Sequence, residues 1–199
     1  MALRPAVFLD KDGTLVENVP YNVDPSQLRF TRGALPALRA LADAGFALVV
    51  VTNQPGLALG RFRRAEFQVL EDALRTRIRE EGGVTLTDFM VCPHAPATPT
   101  NSCLCRKPAP GMLRQAAVAH RLDLAASWMV GDILDDVEAG RRAGARSLLL
   151  DVGNETVWRM SPLRTPERRC ADLLEAASHI LRHRGSADDG GAEASAQRR

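Results

Sequence analysis

The sequence has no hydrophobic run long enough to cross a membrane and no strong excess of either charge. A membrane-spanning helix needs about 20 consecutive apolar residues, and the N-terminal region lacks the pattern of a signal peptide. The formal net charge of +2 gives no electrostatic footprint for a nucleic acid or an anionic membrane. We therefore expect a cytoplasmic protein that binds neither nucleic acid nor membrane, with its four cysteines reduced.

Lysine is scarce, because 24 arginines accompany only two lysines, Lys11 and Lys107. Lys11 lies between two aspartates, and Lys107 follows a pair of cysteines and precedes a proline. A compact ammonium group can act as a point charge toward a phosphoryl group in transfer. Two lysines could survive by chance, but their placement favours a role in a site.

Residues 6–15, with the sequence AVFLDKDGTL, carry the strongest local signal in the chain. Their first four residues form a short apolar run that is typical of a strand buried on both faces. Asp10 and Asp12 follow it, and because side chains alternate along an extended chain, both carboxylates point one way while Lys11 points elsewhere. They could hold Mg²⁺, or one could attack phosphorus while the other transfers a proton. An acidic turn is the alternative, since Asp-Gly is a common turn signal.

Strands alternate with helices along the chain, which predicts an α/β fold with a doubly wound parallel sheet. The chain of 199 residues is long enough for one domain with a full core. We assign residues 1–184 to this domain, and residues 185–199, which lack periodicity, to a disordered tail. Residues 151–169 are predicted to be irregular. The predicted strands are residues 6–9, 46–51, 88–91, 127–130 and 146–150, and the predicted helices are residues 35–44, 65–82, 110–122, 138–143 and 172–183.

Polar residues follow the second predicted strand and occupy the loop after the first one. Thr52, Asn53 and Gln54 offer a hydroxyl and two amides that could bind phosphate oxygens. Taken alone, a polar strand exit explains this triplet more simply. Asn18 and Tyr21 are candidates for substrate contact, although the general polarity of loops explains them about as well.

A second acidic group follows the predicted strand at residues 127–130. Asp132 would complete an oxygen cage for Mg²⁺ with Asp10 and Asp12 if their strands are neighbours. Asp135 is predicted to cap the following helix, and Asp136 could support the site from the first turn of that helix.

Two pairs of metal-ligand residues, Cys92 with His94 and Cys103 with Cys105, are separated by eight residues. Three thiolates and one imidazole are typical of a closed, tetrahedral, structural zinc site. A reducing compartment and a one-residue gap both disfavour a disulfide between Cys103 and Cys105. A coincidental grouping is the alternative, but we predict a zinc-binding loop at residues 92–105. Cys170 lies outside this group and is assigned to packing.

Together these motifs resemble those of the haloacid-dehalogenase (HAD) superfamily phosphatases. DKDGT at the first strand, TNQ at the second, Lys107 before a helix and GDxxxD at the fourth strand follow that superfamily's order. The segments CPH, CLCRKPAPGM and VVVTNQPGLALGRF resemble its zinc-containing branch, which holds D-glycero-D-manno-heptose 1,7-bisphosphate phosphatase and histidinol-phosphate phosphatase. The resemblance covers about residues 7–152 and implies a capless HAD-like fold.

The resemblance also implies a role for each matching residue. Asp10 would be the nucleophile that forms an aspartyl-phosphate, and Asp12 the general acid and then the general base. Asp10, the backbone carbonyl of Asp12 and Asp132 would bind Mg²⁺, while Thr52 and Lys107 would stabilise the transferring phosphoryl group. The residues implied in sugar binding are Asn18, Tyr21, Asn53, Gln54 and Arg106.

Ile133 departs from the branch, which usually has a lysine or arginine at this position to hold anions. The expected function is a monomeric, Mg²⁺-dependent and zinc-containing phosphatase of a phosphorylated sugar, a heptose bisphosphate. Histidinol-phosphate phosphatase is the alternative enzyme, and a non-catalytic phosphosugar-binding protein is the alternative from another class. The presence of both Asp10 and Asp12 argues against the non-catalytic alternative.

Overall fold

The computed structural model describes residues 3–96, 98 and 103–184. Within these residues, six parallel strands form one sheet in the order β3-β2-β1-β4-β5-β6. The strands are β1 (Arg4–Leu9), β2 (Ala47–Asn53), β3 (Asp88–Cys92), β4 (Leu122–Gly131), β5 (Arg146–Leu150) and β6 (Arg168–Cys170). The helices are α1 (Ala34–Asp43), α2 (Arg64–Gly82), α3 (Gly111–His120), α4 (Leu134–Ala143) and α5 (Leu173–Arg182). The predicted α/β class and parallel sheet are confirmed.

Helices cover both faces of the sheet, which explains why the central strands are continuous apolar runs. On one face, α1, α2 and α5 pack on alternate residues of the strands, such as Val7, Leu9 and Val50. On the other face, α3 and α4 pack on the intervening residues, such as Phe8 and Val49. All five of these strand residues are fully buried. The sheet is therefore doubly wound, as predicted.

The strand order reverses direction between β1 and β4. The chain runs outward from β1 through β2 to β3, and then returns to pair β4 with the other side of β1. In open α/β sheets, ligands bind outside the carboxyl ends of the strands at such a reversal. A ligand site is therefore expected at the residues that follow β1, β2 and β4.

Three elements differ from the sequence-based prediction. β4 begins at Leu122, five residues early, because a shift in its pairing with β1 lets the strand continue. α4 begins at Leu134 instead of residue 138. β6 begins at the end of the predicted irregular region and extends one residue beyond it, where two exposed arginines and a length of three residues gave no strand pattern. Its backbone nevertheless pairs with β5.

No separate cap domain interrupts the sheet in the described part of the chain. The connection from β1 to α1 contains only a short 3₁₀ helix, Pro25–Gln27, and isolated bridges. Among the described residues, no helix combines the length and apolar composition that a membrane span requires. Part of the predicted zinc loop, residues 97 and 99–102, and the predicted tail, residues 185–199, lie outside the described residues.

Candidate active site

A cavity of about 390 Å³ opens at the carboxyl ends of β1, β2 and β4. Every residue predicted to act in catalysis or to bind substrate lies in its lining, together with the predicted metal ligand Asp132. These residues are Asp10, Asp12, Asn18, Tyr21, Thr52, Asn53, Gln54, Arg106, Lys107 and Asp132. The motifs are far apart in the sequence, and the strand order brings them to one place.

Lys107 lies at the centre of the charged residues and is almost fully buried. Its Nζ lies 2.5 Å from Asp10 Oδ1 and 2.6 Å from Asp136 Oδ1, and it donates to the carbonyl oxygen of Val51 at 2.9 Å. Although burial disfavours the ammonium form, the two carboxylates raise the pKa of Lys107 above its usual value. The lysine is therefore charged at neutral pH and fixed beside Asp10.

The carboxylates of Asp10, Asp132 and Asp136 form a buried acidic cluster, with one oxygen of each within 4.8 Å of the others. Burial raises the pKa of Asp10 well above its usual value, and the neighbouring carboxylates add to this effect against the opposing influence of Lys107. Burial, followed by the charge of Asp136, raises the pKa of Asp132 to about 6. With all three carboxylates ionised, the cluster and the ammonium of Lys107 would carry a net charge of −2, which a hard divalent cation with oxygen ligands would balance. The cluster therefore fits Mg²⁺.

Gly131 lets Asp136 reach this cluster from the first turn of α4. A Cβ atom at Gly131 would lie only 2.2 Å from Asp136 Oδ2, so a larger residue here would push the carboxylate away. Asp136 is fully buried in the first turn of α4, where its carboxylate pairs with Lys107, and its role in supporting the site stays a prediction.

The prediction that Asp135 caps α4 is wrong. The N-cap residue is Ile133, whose backbone N–H donates to Asp136 Oδ2 at 3.3 Å. Asp135 lies in the first turn, where its Oδ1 accepts a hydrogen bond from Arg164 at 2.6 Å. The helix begins earlier than its apolar pattern indicated, so the aspartate that was expected at the cap lies inside it.

Asp12 is held by two partners that leave it facing the cavity. Lys11 is buried and its Nζ pairs with Asp12 Oδ1, so this lysine does not point away from the aspartates as predicted. Gln54 Nε2 donates to Asp12 Oδ2 at 3.0 Å and to Thr52 Oγ1 at 2.9 Å. Both lysines of the chain are thus buried in ion pairs at the site, which confirms that they are not random surface charge.

Asn53 connects β2 to the segment that carries Lys107. Its Nδ2 donates to the carbonyl oxygen of Lys107 at 3.1 Å, and its Oδ1 accepts from the N–H of Lys107 at 3.0 Å. Both polar ends of the side chain are thereby engaged with the backbone. The contact of Asn53 with a sugar stays a prediction, while its contact with Lys107 is a feature of the fold.

We expect Asn53→Ala to lower kcat by about tenfold, because the ammonium of Lys107 would lose part of the support that fixes its position. If Asn53 served only to bind the sugar, the same substitution would instead raise KM and leave kcat unchanged. Steady-state kinetics over a range of substrate concentrations separate the two effects. Asn18→Ala is the matched control, because Asn18 lines the cavity without contacting Lys107 and should change KM alone. An unchanged kcat in Asn53→Ala would contradict the positioning role.

The remaining predicted substrate residues form the outer wall of the cavity. Tyr21 is 48% exposed, adopts a positive φ of 58° and has the guanidinium of Arg61 over its ring. Arg106 Nη1 donates to the carbonyl oxygen of His94 at 3.2 Å, so the cysteine-rich loop orients this arginine. These polar groups at the entrance lie away from the acidic cluster, which suits them to binding a substrate rather than to the chemical step.

The four predicted zinc ligands converge, although residues between them lie outside the described part of the chain. Cys92 Sγ lies 3.5 Å from His94 Nδ1, 3.7 Å from Cys103 Sγ and 3.2 Å from Cys105 Sγ. Cys105 Sγ lies 3.2 Å from His94 Nδ1 and 3.6 Å from Cys103 Sγ. A tetrahedral zinc ion with Zn–S bonds of about 2.3 Å separates its ligand atoms by about 3.6–3.8 Å. The cluster therefore fits a zinc ion.

The backbone after this cluster contributes to its electrostatics. The N–H of Arg106 donates to Cys103 Sγ at 3.3 Å. Burial acts to raise the pKa of Cys103. This hydrogen bond, together with those involving Cys105 and Cys92, nevertheless holds the pKa below its usual value. Burial raises the pKa of Cys92, which lies at the end of β3 in the core. A bound cation would favour both thiolates, since metal ligation deprotonates a thiol.

The sequence-based prediction missed Asn154 as a contributor to the site. Its Nδ2 donates to Asp132 Oδ2 at 2.7 Å from the loop that follows β5. The next residue, Glu155, accepts a hydrogen bond from the N–H of Leu134 at 2.8 Å. The only signal for Asn154 was its position after the strand at residues 146–150, because parallel strands bring their carboxyl ends to one edge.

Comparison with known proteins agrees with this geometry. The family model described as HAD-hydrolase-like matches residues 104–176. The chain is 39% identical over 167 residues to D-glycero-beta-D-manno-heptose-1,7-bisphosphate 7-phosphatase of Escherichia coli, which covers 82% of this chain and 83% of the relative. It is 36% identical over 154 residues to D-glycero-alpha-D-manno-heptose-1,7-bisphosphate 7-phosphatase of Photorhabdus laumondii, which covers 75% of this chain and 84% of the relative.

A solved structure supports the same relationship. The crystal structure of D,D-heptose 1,7-bisphosphate phosphatase from B. bronchiseptica, complexed with magnesium and phosphate, superposes with a TM-score of 0.73. Its sequence is 31% identical, and the match covers 91% of this chain and 99% of that protein.

The fold and the site define the class of protein as a phosphoric monoester hydrolase of the HAD type. An aspartate nucleophile candidate, a buried lysine and an acidic cluster lie together at the reversal of the parallel sheet. Within this class, the chain belongs to the family of the D-glycero-D-manno-heptose 1,7-bisphosphate 7-phosphatases.

Proposed function

We propose that the protein is a Mg²⁺-dependent phosphatase that removes the 7-phosphate of D-glycero-D-manno-heptose 1,7-bisphosphate. The observation that carries this proposal is the contact of Lys107 with Asp10 beside the acidic cluster, in a chain of this family. Residues 1–184 would form the catalytic domain. A phosphorylated sugar is supported as the class of substrate by the names of the relatives.

Asp10 would act as the nucleophile, because it lies at the strand tip beside a fixed cation. One of its oxygens would form a bond to phosphorus while the bond from phosphorus to the ester oxygen of the sugar breaks. Lys107 and the hydroxyl of the buried Thr52 would stabilise the charge that spreads over the phosphoryl oxygens. The products of this step would be an aspartyl-phosphate and the sugar, whose ester oxygen takes up a proton as it leaves.

Asp12 would handle the proton in both steps. It would first donate a proton to the leaving ester oxygen, so that the sugar departs as an alcohol. A water molecule would then attack the aspartyl-phosphate, Asp12 would accept its proton, and the bond from phosphorus to Asp10 would break. The contacts of Asp12 with Lys11 and Gln54 would keep the carboxyl group aimed at the cavity between the steps.

Mg²⁺ would be held by Asp10, the backbone carbonyl of Asp12 and Asp132. This assignment rests on the fit of the acidic cluster and on the magnesium named in the related crystal structure. When bound, the cation would neutralise charge on the phosphoryl oxygens and on the carboxylates around them. The protein's own part is to keep these oxygen ligands close together before the substrate arrives.

Zn²⁺ would be structural, held by Cys92, His94, Cys103 and Cys105. Four protein ligands leave no open position for a substrate, which separates this site from a catalytic zinc site. Its role would be to fix the backbone that leads directly into Arg106 and Lys107.

The sugar would bind at the entrance of the cavity. The side chains proposed to contact it are Asn18, Tyr21, Asn53, Gln54 and Arg106, all of which line this cavity. We further propose that the protein acts as a cytoplasmic monomer.

The test is a hydrolysis panel of heptose bisphosphates, hexose phosphates and histidinol phosphate, each with and without added Mg²⁺. The proposal expects the highest kcat/KM on a heptose 1,7-bisphosphate, with release of the 7-phosphate only. A clear preference for histidinol phosphate would replace the proposed substrate and keep the phosphatase. No hydrolysis of any compound would favour a non-catalytic phosphosugar-binding protein.

Ile133 provides a further prediction, because its apolar side chain lines the cavity where the family branch usually has a cation. Its backbone N–H makes the contact with Asp136, so a new side chain leaves that contact in place. We expect Ile133→Lys to lower the KM for heptose bisphosphate by up to about tenfold, equivalent to about 1.4 kcal/mol, with little change in kcat. Ile133→Met is the uncharged control and should leave KM unchanged.

Kinetics of both variants on heptose bisphosphate and histidinol phosphate decide the outcome. If Ile133 instead packs against an apolar part of another substrate, lysine would lower activity on that substrate, because the ammonium would lose its water there. If Ile133→Lys improves neither compound, the heptose assignment should be abandoned before the phosphatase assignment.

A further inference from the structure

Asn154 contacts the acidic cluster from a loop that belongs to none of the motifs. The residue follows β5 and lines the cavity, and its Nδ2 donates to Asp132 Oδ2 at 2.7 Å. Asp132 is 3% exposed, so water has little access to its oxygens. The amide is the one side-chain donor within hydrogen-bond distance of the Asp132 carboxylate among the described residues.

Gly13 packs against this contact and restricts it. A Cβ atom at Gly13 would lie 2.1 Å from Asp132 Oδ2 and 2.4 Å from Asn154 Nδ2. The glycine has a φ of +80°, a conformation that other residues rarely adopt. The amide and the carboxylate are therefore packed against the turn that carries Asp10 and Asp12, and their relative orientation is fixed.

This hydrogen bond has a specific consequence for Asp132. A carboxylate has two oxygens, and a donor on Oδ2 restrains the rotation of the group and leaves the other oxygen as a ligand. The same donor stabilises the ionised carboxylate against repulsion from Asp10 and Asp136. Hydrogen bonds to ligating carboxylates orient them in this way in metal sites generally.

We propose that Asn154 is a positioning residue that orients Asp132 toward the divalent cation of the acidic cluster. The inference rests on the proposed function only for the identity of that cation. It assigns a role to the loop after β5, which lies beyond the stretch that resembles the HAD motifs.

Glu155, in the same loop, makes it possible to distinguish the positioning of Asp132 from a general effect on the loop. Glu155 Oε2 accepts from the N–H of Leu134 at 2.8 Å, and its Oε1 accepts from the N–H of Val157 at 2.7 Å. These bonds fasten the loop to the start of α4 without touching Asp132. Removing Glu155 would loosen the loop, whereas removing the amide of Asn154 would free the carboxylate itself.

The experiment measures the affinity of the full-length, zinc-containing protein for Mg²⁺ by calorimetry, after dialysis against magnesium-free buffer. We expect Asn154→Leu, which keeps the size of the side chain, to raise the Kd for Mg²⁺ by about tenfold. Asn154→Ser, whose hydroxyl is too short to reach, should raise it similarly and serves if the leucine variant does not fold. Glu155→Ala is the matched control and should stay within about twofold of the wild type.

Kinetics provide a second measurement. If Asn154 acts through the cation, saturating Mg²⁺ should restore the kcat of Asn154→Leu to within a few-fold of the wild-type value. A Kd for Mg²⁺ that is unchanged in both Asn154 variants would overturn the inference while leaving the proposed phosphatase intact. An equal rise in Kd in Glu155→Ala would also overturn it, because loop attachment would then explain the effect. A wild-type protein that binds no Mg²⁺ would overturn both the inference and the proposed metal dependence.

Discussion

Replacing Asp10 by asparagine is expected to lower turnover by a factor on the order of 10⁴ or more, because an amide of the same shape cannot form an acyl phosphate. The variant should keep its fold. Its Oδ1 can still accept a hydrogen bond from Lys107, and Asp136 remains as a counter-ion 2.6 Å from that ammonium. Hydrolysis of the best substrate of the panel, measured at saturating Mg²⁺, tests the loss.

Thermal unfolding of the same variant tests separately whether the protein is still folded. In the absence of metal, the Tm of Asp10→Asn should equal or exceed that of the wild type, because the change removes one of three crowded carboxylates. Burial, together with the neighbouring carboxylates, also raises the pKa of Asp10. This shift shows that the ionised form of Asp10 is unfavourable in the folded protein without metal. A strong fall in Tm would mean that lost activity reports unfolding and not chemistry.

Asp43→Asn is the matched control for this substitution. The Asp43 carboxylate is 64% exposed and pairs with Arg39 on the surface of α1, far from the cavity. Its replacement should leave both kcat and KM unchanged. Substantial phosphatase activity in purified Asp10→Asn protein would rule out the aspartyl-phosphate mechanism, whatever the control shows.

Replacing Cys103 by serine is expected to have the second largest effect, on zinc content and stability together. Elemental analysis should find about one zinc ion per wild-type chain and almost none in the variant, because three ligands hold zinc far less tightly than four. Loss of a structural metal should lower the free energy of unfolding by about 2–4 kcal/mol, which corresponds to a fall in Tm of about 10 °C.

The same substitution should also lower kcat/KM by about tenfold, because Arg106 and Lys107 follow the cluster directly. Lys107 keeps its contacts with Asn53, Asp10 and Asp136, so activity should fall and not vanish. Added Mg²⁺ should not restore it, since the two sites have different ligand chemistry.

Cys170→Ser is the control for the chemistry of the substitution. Cys170 is buried in β6 outside the cysteine–histidine cluster, so serine should lower Tm through packing but leave zinc content and KM unchanged. Wild-type protein that is purified under reducing conditions and contains no zinc would contradict the proposed structural zinc ion.

Much of the site could be predicted because its chemically active residues occur in short sequence motifs. Asp10 and Asp12 follow a fully apolar run. A short run of this kind is typical of a strand that is buried on both faces of a parallel sheet. Cys92, His94, Cys103 and Cys105 are close in sequence, so a small loop was enough to bring them together. In each case, the residues that cooperate are near one another in the chain or lie at comparable strand ends.

The errors came from contacts that depend on distant elements. Asp135 was expected to cap α4, but Arg164 from the region predicted to be irregular binds it. Lys11 was expected to point away from the aspartates, but the buried surroundings direct its flexible side chain onto Asp12. β6 was missed because a three-residue strand is stabilised by its neighbour β5 and not by its own composition.

The sequence by itself determined the α/β class, the identity of the two acidic residues at the first strand and the composition of the cysteine–histidine cluster. These depend on local periodicity and on the spacing of a few residues. Only the tertiary structure decided that Lys107 pairs with both Asp10 and Asp136, and that Asn154 contacts Asp132 across 22 positions of the chain. The physical reason is that side-chain hydrogen bonds extend about 3 Å, so they are set by how strands and helices pack and not by the order of residues.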